Sequence, residues 1–304
     1  MPDYQVIGQT ADENDLIRVY ANLTHIPGTH YVVSKDSENL RFWKSGTKNE
    51  QYTFTDGRCA ISGSGSMWAE YASTGNENYT FMLQMVETAT SKVVLQEEMV
   101  FRPFNSITCA FVGEFQTAGQ MDDNHGVNII ARDLLLDGYD VHVWDDGHDW
   151  SQSDDADEWG SGPVYDTIVN AVNNHGQTKI ALFGYSHGGG TVYNVAWRIG
   201  NNYADSDGNT MSNPRSLVFT SYIDAVRNSN LINVVGENRR PAGSLFHLNQ
   251  YQENDWVVDG CTSNGTADVE VGRSGITGMT HRTIDDNVDV QSLLKIYLKF
   301  LVLR

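Results

Sequence analysis

The chain has 304 residues, is 40% hydrophobic and carries a formal net charge of −19. That charge comes mainly from Asp, with Lys scarce, and it sets the protein against nucleic acid and anionic membrane surfaces, whose phosphates it would repel. No apolar run reaches the roughly 18 residues that a membrane-spanning helix needs, so no transmembrane segment is expected.

The length points to two domains. Met1-Pro2-Asp3-Tyr4 has neither a basic start nor an apolar core, so no secretion signal is read in the sequence. The Asp-rich, Lys-poor composition suits either a secreted protein whose signal has been removed or a cytoplasm adapted to salt, and localisation stays open between them. Three cysteines, Cys59, Cys109 and Cys261, are odd in number and lack metal-ligand spacing, so neither a metal nor another cofactor is expected from them.

Residues 1–105 read as an all-β accessory domain of the immunoglobulin-like sandwich type. Leu16-Ile17-Arg18-Val19-Tyr20 and Lys92-Val93-Val94-Leu95-Gln96 are β-prone runs, and Tyr79, Phe81, Leu83 and Met85 fall on one face at two-residue spacing. Thr55-Asp56-Gly57 and Ser73-Thr74-Gly75-Asn76 supply turns between them. Trp43 and Trp68 read as core residues. Nothing in this part gathers catalytic side chains, which leaves structural support or substrate binding as its role. Phe101-Arg102-Pro103-Phe104-Asn105 is the expected seam.

From residue 106 to 304 strands alternate with helices, the pattern of βαβ units on a mostly parallel sheet flanked by helices. Ile107–Val112 is an apolar strand, Gly126–Leu136 has helical period, and Tyr139–Trp144 is the next strand. Pro163 opens a helix that closes near His175-Gly176. Lys179–Tyr185 is a buried strand, followed by a helix from His187 to about Ile199. Leu217–Ile223 and residues 244–251 are further strands, and Asp289–Leu303 is an amphipathic terminal helix.

Gly184-Tyr185-Ser186-His187-Gly188, between that strand and helix, has the form of a nucleophile elbow. Ser186 would sit on a strained turn, with Gly184 and Gly188 leaving room for the chain to fold back. The helix that begins at His187 would aim its first N–H groups at a developing oxyanion, and His187 is the first expected donor. The second amide is expected from the loop after the first parallel strand, with Glu114 and Phe115 as candidates. Two such donors lower a barrier by about 3 kcal/mol each.

The remaining triad members should follow the serine in the order acid, then histidine. Of nine histidines, six precede Ser186, His187 adjoins it and His247 lies in a strand. His281, in a loop before the terminal helix, is left as general base. Asp224 ends the strand Leu217–Ile223 and is the preferred acid, because a strand end holds a histidine tautomer rigidly. Asp255, in the polar run Gln252-Glu253-Asn254-Asp255, is the alternative. An acidic loop, Asp145 to Glu158 with His148 within it, gathers oxygen ligands but fits neither a calcium-loop nor a zinc pattern, and is read as solvated.

With Gly184-Tyr185-Ser186-His187-Gly188, Tyr222-Ile223-Asp224-Ala225-Val226 and Thr280-His281, the segment 106–304 resembles the α/β-hydrolase serine esterases and lipases. The second of these is similar to the acid-bearing strand end of secreted lipases. Ala225 stands where those often have a proline, and Val112-Gly113-Glu114 stands in place of the family's His-Gly oxyanion motif. The resemblance implies an α/β-hydrolase fold and hydrolysis of a small-molecule, lipid or polymer ester by Ser186, Asp224 and His281 through an acyl-enzyme. An amidase or peptidase with the same triad, a polyester hydrolase and a non-catalytic binding module are the rival readings. The oligomeric state and acyl-chain length are not legible.

Overall fold

The computed structural model describes the chain apart from residues 1–2, 8–15, 24–25, 38–39, 45–49, 64, 73–78, 102–103, 115, 119–124, 138, 146–161, 229–234, 256–257, 272–278 and 303–304. It divides into two compact units, Met1–Pro103 with Leu135–Gly138, and Phe104–Leu134 with Tyr139–Arg304.

The first unit is antiparallel. Strands β1 (Asp3–Ile7), β2 (Leu16–Leu23), β3 (Thr29–Lys35), β4 (Leu40–Trp43), β5 (Arg58–Ile61), β6 (Gly65–Ala72), β7 (Tyr79–Glu87) and β8 (Val93–Phe101) build two sheets of four, ordered β1-β2-β6-β4 and β5-β3-β7-β8. Buried residues alternate with more exposed ones along β4 and β5, as period-two strands with one wet face require. Phe42 of one sheet meets Phe81 of the other edge to face, with ring centres 5.2 Å apart. Phe81 and Leu83 are buried, but Met85 is only half-buried and Val86 is buried instead. The register against β8 slips between Met85 and Val86, and this irregularity moves the inward position by one residue. Trp43 is half-buried rather than core, while the side chain of Trp68 lies outside the described residues.

The second unit is built on parallel strands: β9 (Ser106–Phe111), β10 (Val141–Trp144), β11 (Lys179–Tyr185), β12 (Ser216–Ile223), β13 (Phe246–Tyr251) and β14 (Ala267–Glu270). They form one six-stranded sheet ordered β10-β9-β11-β12-β13-β14, and every pairing is parallel. The helices are α1 (Gly126–Leu136), α2 (Pro163–His175), α3 (His187–Asn201) and α4 (Val288–Leu301). Near-continuous burial of β9, β11 and β12 is what a parallel sheet covered on both faces needs. Ile168, Val172, Val192, Val195 and Ile199 of α2 and α3 share one core with Ile107, Phe111, Ile180 and Leu182. On α4, Tyr297 stacks at 4.8 Å on Phe246, which in turn stacks on Phe219.

Pro163 sits in the first turn of α2, and Gly176 ends that helix in the left-handed conformation at φ 66°. Asn287 caps α4, its side chain accepting from the Asp289 and Val290 amides. No helix among the described residues is long and apolar enough to cross a membrane. The three cysteines are free; Cys109 is fully buried in β9, and burial pushes its thiol well above the ordinary range.

The sheet order sets where the candidate residues stand. The chain leaves β9 through α1 to reach β10 on one side, then returns through α2 to β11 on the other side of β9. In open parallel sheets a crevice opens outside the carboxyl ends of the strands at such a reversal. Gly113 follows β9 and Ser186 follows β11, so both stand at that crevice.

Candidate active site

Ser186 joins β11 to α3 at φ 54°, ψ −126°, a backbone setting that a side chain rarely tolerates. Three backbone hydrogen bonds hold it there. Its N–H donates to the Ile223 carbonyl at 3.1 Å, and its own carbonyl accepts from the Gly189 and Val226 amides at 3.0 and 2.8 Å. The turn also demands glycines. A Cβ on Gly184 would stand 2.3 Å from the Gly188 carbonyl oxygen, and one on Gly188 would stand 2.4 Å from that of Val112. Both obstacles are backbone, so neither can yield.

Ser186 Oγ lies 2.8 Å from His281 Nε2, and His281 Nδ1 lies 2.8 Å from Asp224 Oδ2. A carboxylate only accepts, so Nδ1 carries the proton and Nε2 is left to accept from the serine hydroxyl. Asp224 is fully buried and itself sits at φ 46°. Its N–H donates to the Gln250 carbonyl at 2.7 Å; its carboxylate accepts from the Gln252 amide at 3.2 Å and from Gln252 Nε2 at 2.9 Å. The imidazole is 12% exposed, whereas Asp224 is fully buried.

Asp255, the alternative acid, occupies a different place: its Oδ2 accepts from the backbone N–H of His281 at 3.2 Å. Tyr185 holds the following peptide, its hydroxyl donating to the His281 carbonyl at 2.6 Å while its ring stacks 5.1 Å from the imidazole. Burial pushes the Tyr185 phenol well above its usual range, so it stays a donor.

On the oxyanion side, His187 opens α3; no side chain caps this helix, and its Gly189 N–H is given to the Ser186 carbonyl. The His187 ring lies 3.4 Å from the Glu114 carboxylate and 3.2 Å from the Asn228 side chain, directed away from the triad. Gly113 packs against Ser186, for a Cβ there would stand 3.1 Å from that of the serine. The Gly113 N–H is already given to Gln116 Oε1 at 3.0 Å, whereas among the described residues the Glu114 N–H meets no acceptor. Phe115 lies outside the described residues.

Sequence reasoning missed several residues that support this arrangement. Gln252 grips the acid from two atoms, and Gly260 is small because a Cβ would stand 2.1 Å from Asp224 Oδ1. Neither carries a local signal, since their partner lies about thirty residues away in the chain. His247, placed in a strand by sequence, is buried in β13 and takes no part.

Of the acidic loop, Asp145 accepts the Ala118 N–H at 3.0 Å, and the rest of it lies outside the described residues. Among the described residues His125, Asp285 and Asp286 bring ligand atoms within 4.8 Å of one another. Asp285 is already engaged by the Gln116 side chain and by the backbone N–H of Gly126 at the start of α1.

No protein-family model matches the chain, and no curated protein sequence does. Among solved structures, the bacterial iron-containing dodecameric glycosyltransferase TibC from enterotoxigenic E. coli H10407 is similar at TM-score 0.16 and 11% identity, over 60% of this chain and 32% of that one. A calcium-binding mutant of Bacteroides uniformis beta-glucuronidase 2 is similar at TM-score 0.17 and 6% identity, over 82% of this chain and 33% of that one. The chain spans about a third of the length of each, and likenesses this slight carry no argument about fold or chemistry.

Proposed function

We propose that the chain is a serine-dependent carboxylic ester hydrolase of the α/β-hydrolase type, acting through Ser186, His281 and Asp224. The observation that carries the reading is the unbroken chain of contacts from Ser186 Oγ to His281 Nε2 and from His281 Nδ1 to buried Asp224, each 2.8 Å long. Hydroxyl, base and orienting acid in hydrogen-bond reach are the requirements of an activated nucleophile. The strand order, with the serine after a central strand at the reversal point and the acid after the next strand, supports the fold assignment.

In this mechanism Ser186 Oγ attacks the ester carbonyl carbon while His281 Nε2 takes its proton, and Asp224 stabilises the resulting imidazolium. The oxyanion accepts from the His187 N–H and from the turn at Glu114. Collapse expels the alcohol, which receives the proton from His281, and leaves an acyl-serine. Water enters and attacks the acyl carbon while His281 takes its proton, and collapse breaks the bond to Ser186 Oγ, which takes that proton back as the acid leaves. Neutral esters fit best, since Glu114 and Asp255 flank the site and the chain carries a net charge of −19.

The test is hydrolysis of p-nitrophenyl acetate, butyrate and palmitate by wild type and Ser186→Ala, with and without chelator. Chelator-insensitive turnover lost in the variant is the expected outcome, and the three substrates rank the chain-length preference. Undiminished turnover by Ser186→Ala would overturn the proposal, and turnover confined to p-nitroanilides would reassign the same triad to an amidase.

A further inference from the structure

Behind the turn that faces Ser186, one carboxamide joins two loops that lie far apart in the sequence. Gln116 Oε1 accepts the Gly113 N–H at 3.0 Å, and the Gln116 backbone N–H donates to the Gly113 carbonyl at 3.0 Å, closing the turn on itself. From the other end of the same side chain, Nε2 donates to Asp285 Oδ2 at 3.0 Å. Asp285 is 1% exposed and stands four positions after His281. Its carbonyl in turn accepts from Gln291 Nε2 of α4 at 2.9 Å.

The amide's orientation is dictated from both sides. Gly113 offers a donor and Asp285 an acceptor, so a turned-over carboxamide would set donor against donor at Gly113 and acceptor against acceptor at Asp285. The neighbourhood is pinned elsewhere too: Asn128 Nδ2 donates to the Thr117 carbonyl at 3.0 Å. α1 can approach Asp285 only because residue 126 is glycine, where a Cβ would stand 1.8 Å from the Asp285 carbonyl oxygen.

We propose that Gln116 and Asp285 are positioning residues for oxyanion stabilisation: the Gln116 carboxamide fixes the Gly113–Gln116 turn against Ser186 and ties it to the segment that carries His281. The inference rests on the esterase reading above. Its consequence is a division of labour within the turn. The Gly113 amide is consumed in holding the turn shut, so the second oxyanion donor is the Glu114 amide. The carbonyl oxygen of a ground-state ester gains little from such a donor, whereas the tetrahedral oxyanion gains much, so loosening the turn should lower kcat and leave KM nearly unchanged.

The experiment compares wild type, Gln116→Ala, Asp285→Ala, Asp285→Asn and Ser186→Ala in p-nitrophenyl butyrate hydrolysis. It also follows the rate at which a neutral fluorophosphonate labels Ser186, and the melting temperature of each variant. Misplacing a reacting group by about 1 Å can cost about 10²-fold, so Gln116→Ala should lose about 10- to 100-fold in kcat and in labelling rate, with KM within about two-fold. Asp285→Ala should follow it. Asp285→Asn keeps an acceptor for Gln116 Nε2 and should restore most of the activity that Asp285→Ala loses, a rescue that a purely space-filling role would not produce.

Wild-type kcat in folded Gln116→Ala, or a loss confined to KM, would overturn the inference while leaving the esterase reading intact. Equal losses in Asp285→Asn and Asp285→Ala would overturn the part assigned to Asp285. Failure of wild type both to turn over substrate and to accept the label at Ser186 would sink the esterase reading, and this inference with it.

Discussion

In the second unit His281 and His247 each stand between two polar partners, and under the proposed function only His281 takes part in the chemistry. His281 has a hydroxyl on Nε2 and a carboxylate on Nδ1, in a ring left 12% exposed. His247 has hydroxyls on both nitrogens, Thr220 Oγ1 at 2.8 Å and Ser263 Oγ at 3.0 Å, and is fully buried among β12, β13 and the loop before β14. Burial pushes His247 down to about 4, with Arg240 adding to the effect and Asp268 opposing it. A hydroxyl beside an imidazole is therefore not enough. What separates the pairs is a carboxylate placed directly on the ring to hold its charged form, a serine held off the favoured backbone regions, and a ring left partly exposed.

Substitutions should separate the two sites cleanly, and the largest effect belongs to the exposed one. Ser186→Ala or His281→Ala should lower kcat/KM for an activated ester by about 10⁴-fold or more, measured on folded protein. Next, Asp224→Asn should cost about 10³- to 10⁴-fold by favouring the wrong tautomer. Asp255→Asn should cost under about 10-fold, since Asp255 touches the backbone of His281 and not its ring. Comparing their pH–rate profiles checks which carboxylate is coupled to the imidazole. Gly260→Ala should fall between these, because its new methyl would displace Asp224 Oδ1 and thus disturb the ring's support from behind.

The buried site should answer in stability rather than rate. His247→Gln should destabilise the fold by about 1 to 3 kcal/mol in urea unfolding, with kcat per folded molecule unchanged. It should also remove a pH dependence. In the unfolded chain a histidine binds its proton near pH 6.5, whereas folded His247 does so only near 4. The stability it supplies is whole above pH 6.5 and lost as the pH falls to 4, a change of roughly 3 kcal/mol. Asp285, pushed up to about 6 chiefly by burial, works in the opposite direction across much of the same range. The difference between wild type and His247→Gln isolates the histidine, and parallel stability curves between pH 7 and 4 would contradict this account.

Legibility followed the range of the interactions. Ser186 could be read because its turn is local: glycines two residues to each side, a strand before and a helix after. The starts of α1, α2 and α3 were legible for the same reason, through helical period, Pro163 and the elbow itself. Asp224 and His281 could be placed only by chain order, and sequence left Asp224 and Asp255 both open; the contacts to His281 distinguish them. The supporting residues escaped, since Gln116 meets Asp285 across 169 positions and nothing local marks a glutamine as a bridge. Strands β1, β3, β4, β5, β6 and β14 also went unread. The position of Met85 was misjudged because period two cannot announce a register slip.

The central claim, that Ser186 is a nucleophile activated by His281, is tested most directly by covalent labelling. Wild type, Ser186→Ala and His281→Ala would each be treated with a neutral fluorophosphonate and the modified peptide located by mass spectrometry. The account requires stoichiometric modification of wild type at Ser186, none there in Ser186→Ala and a rate reduced at least about 10³-fold in His281→Ala. Label on another residue, or an undiminished rate without His281, would contradict it.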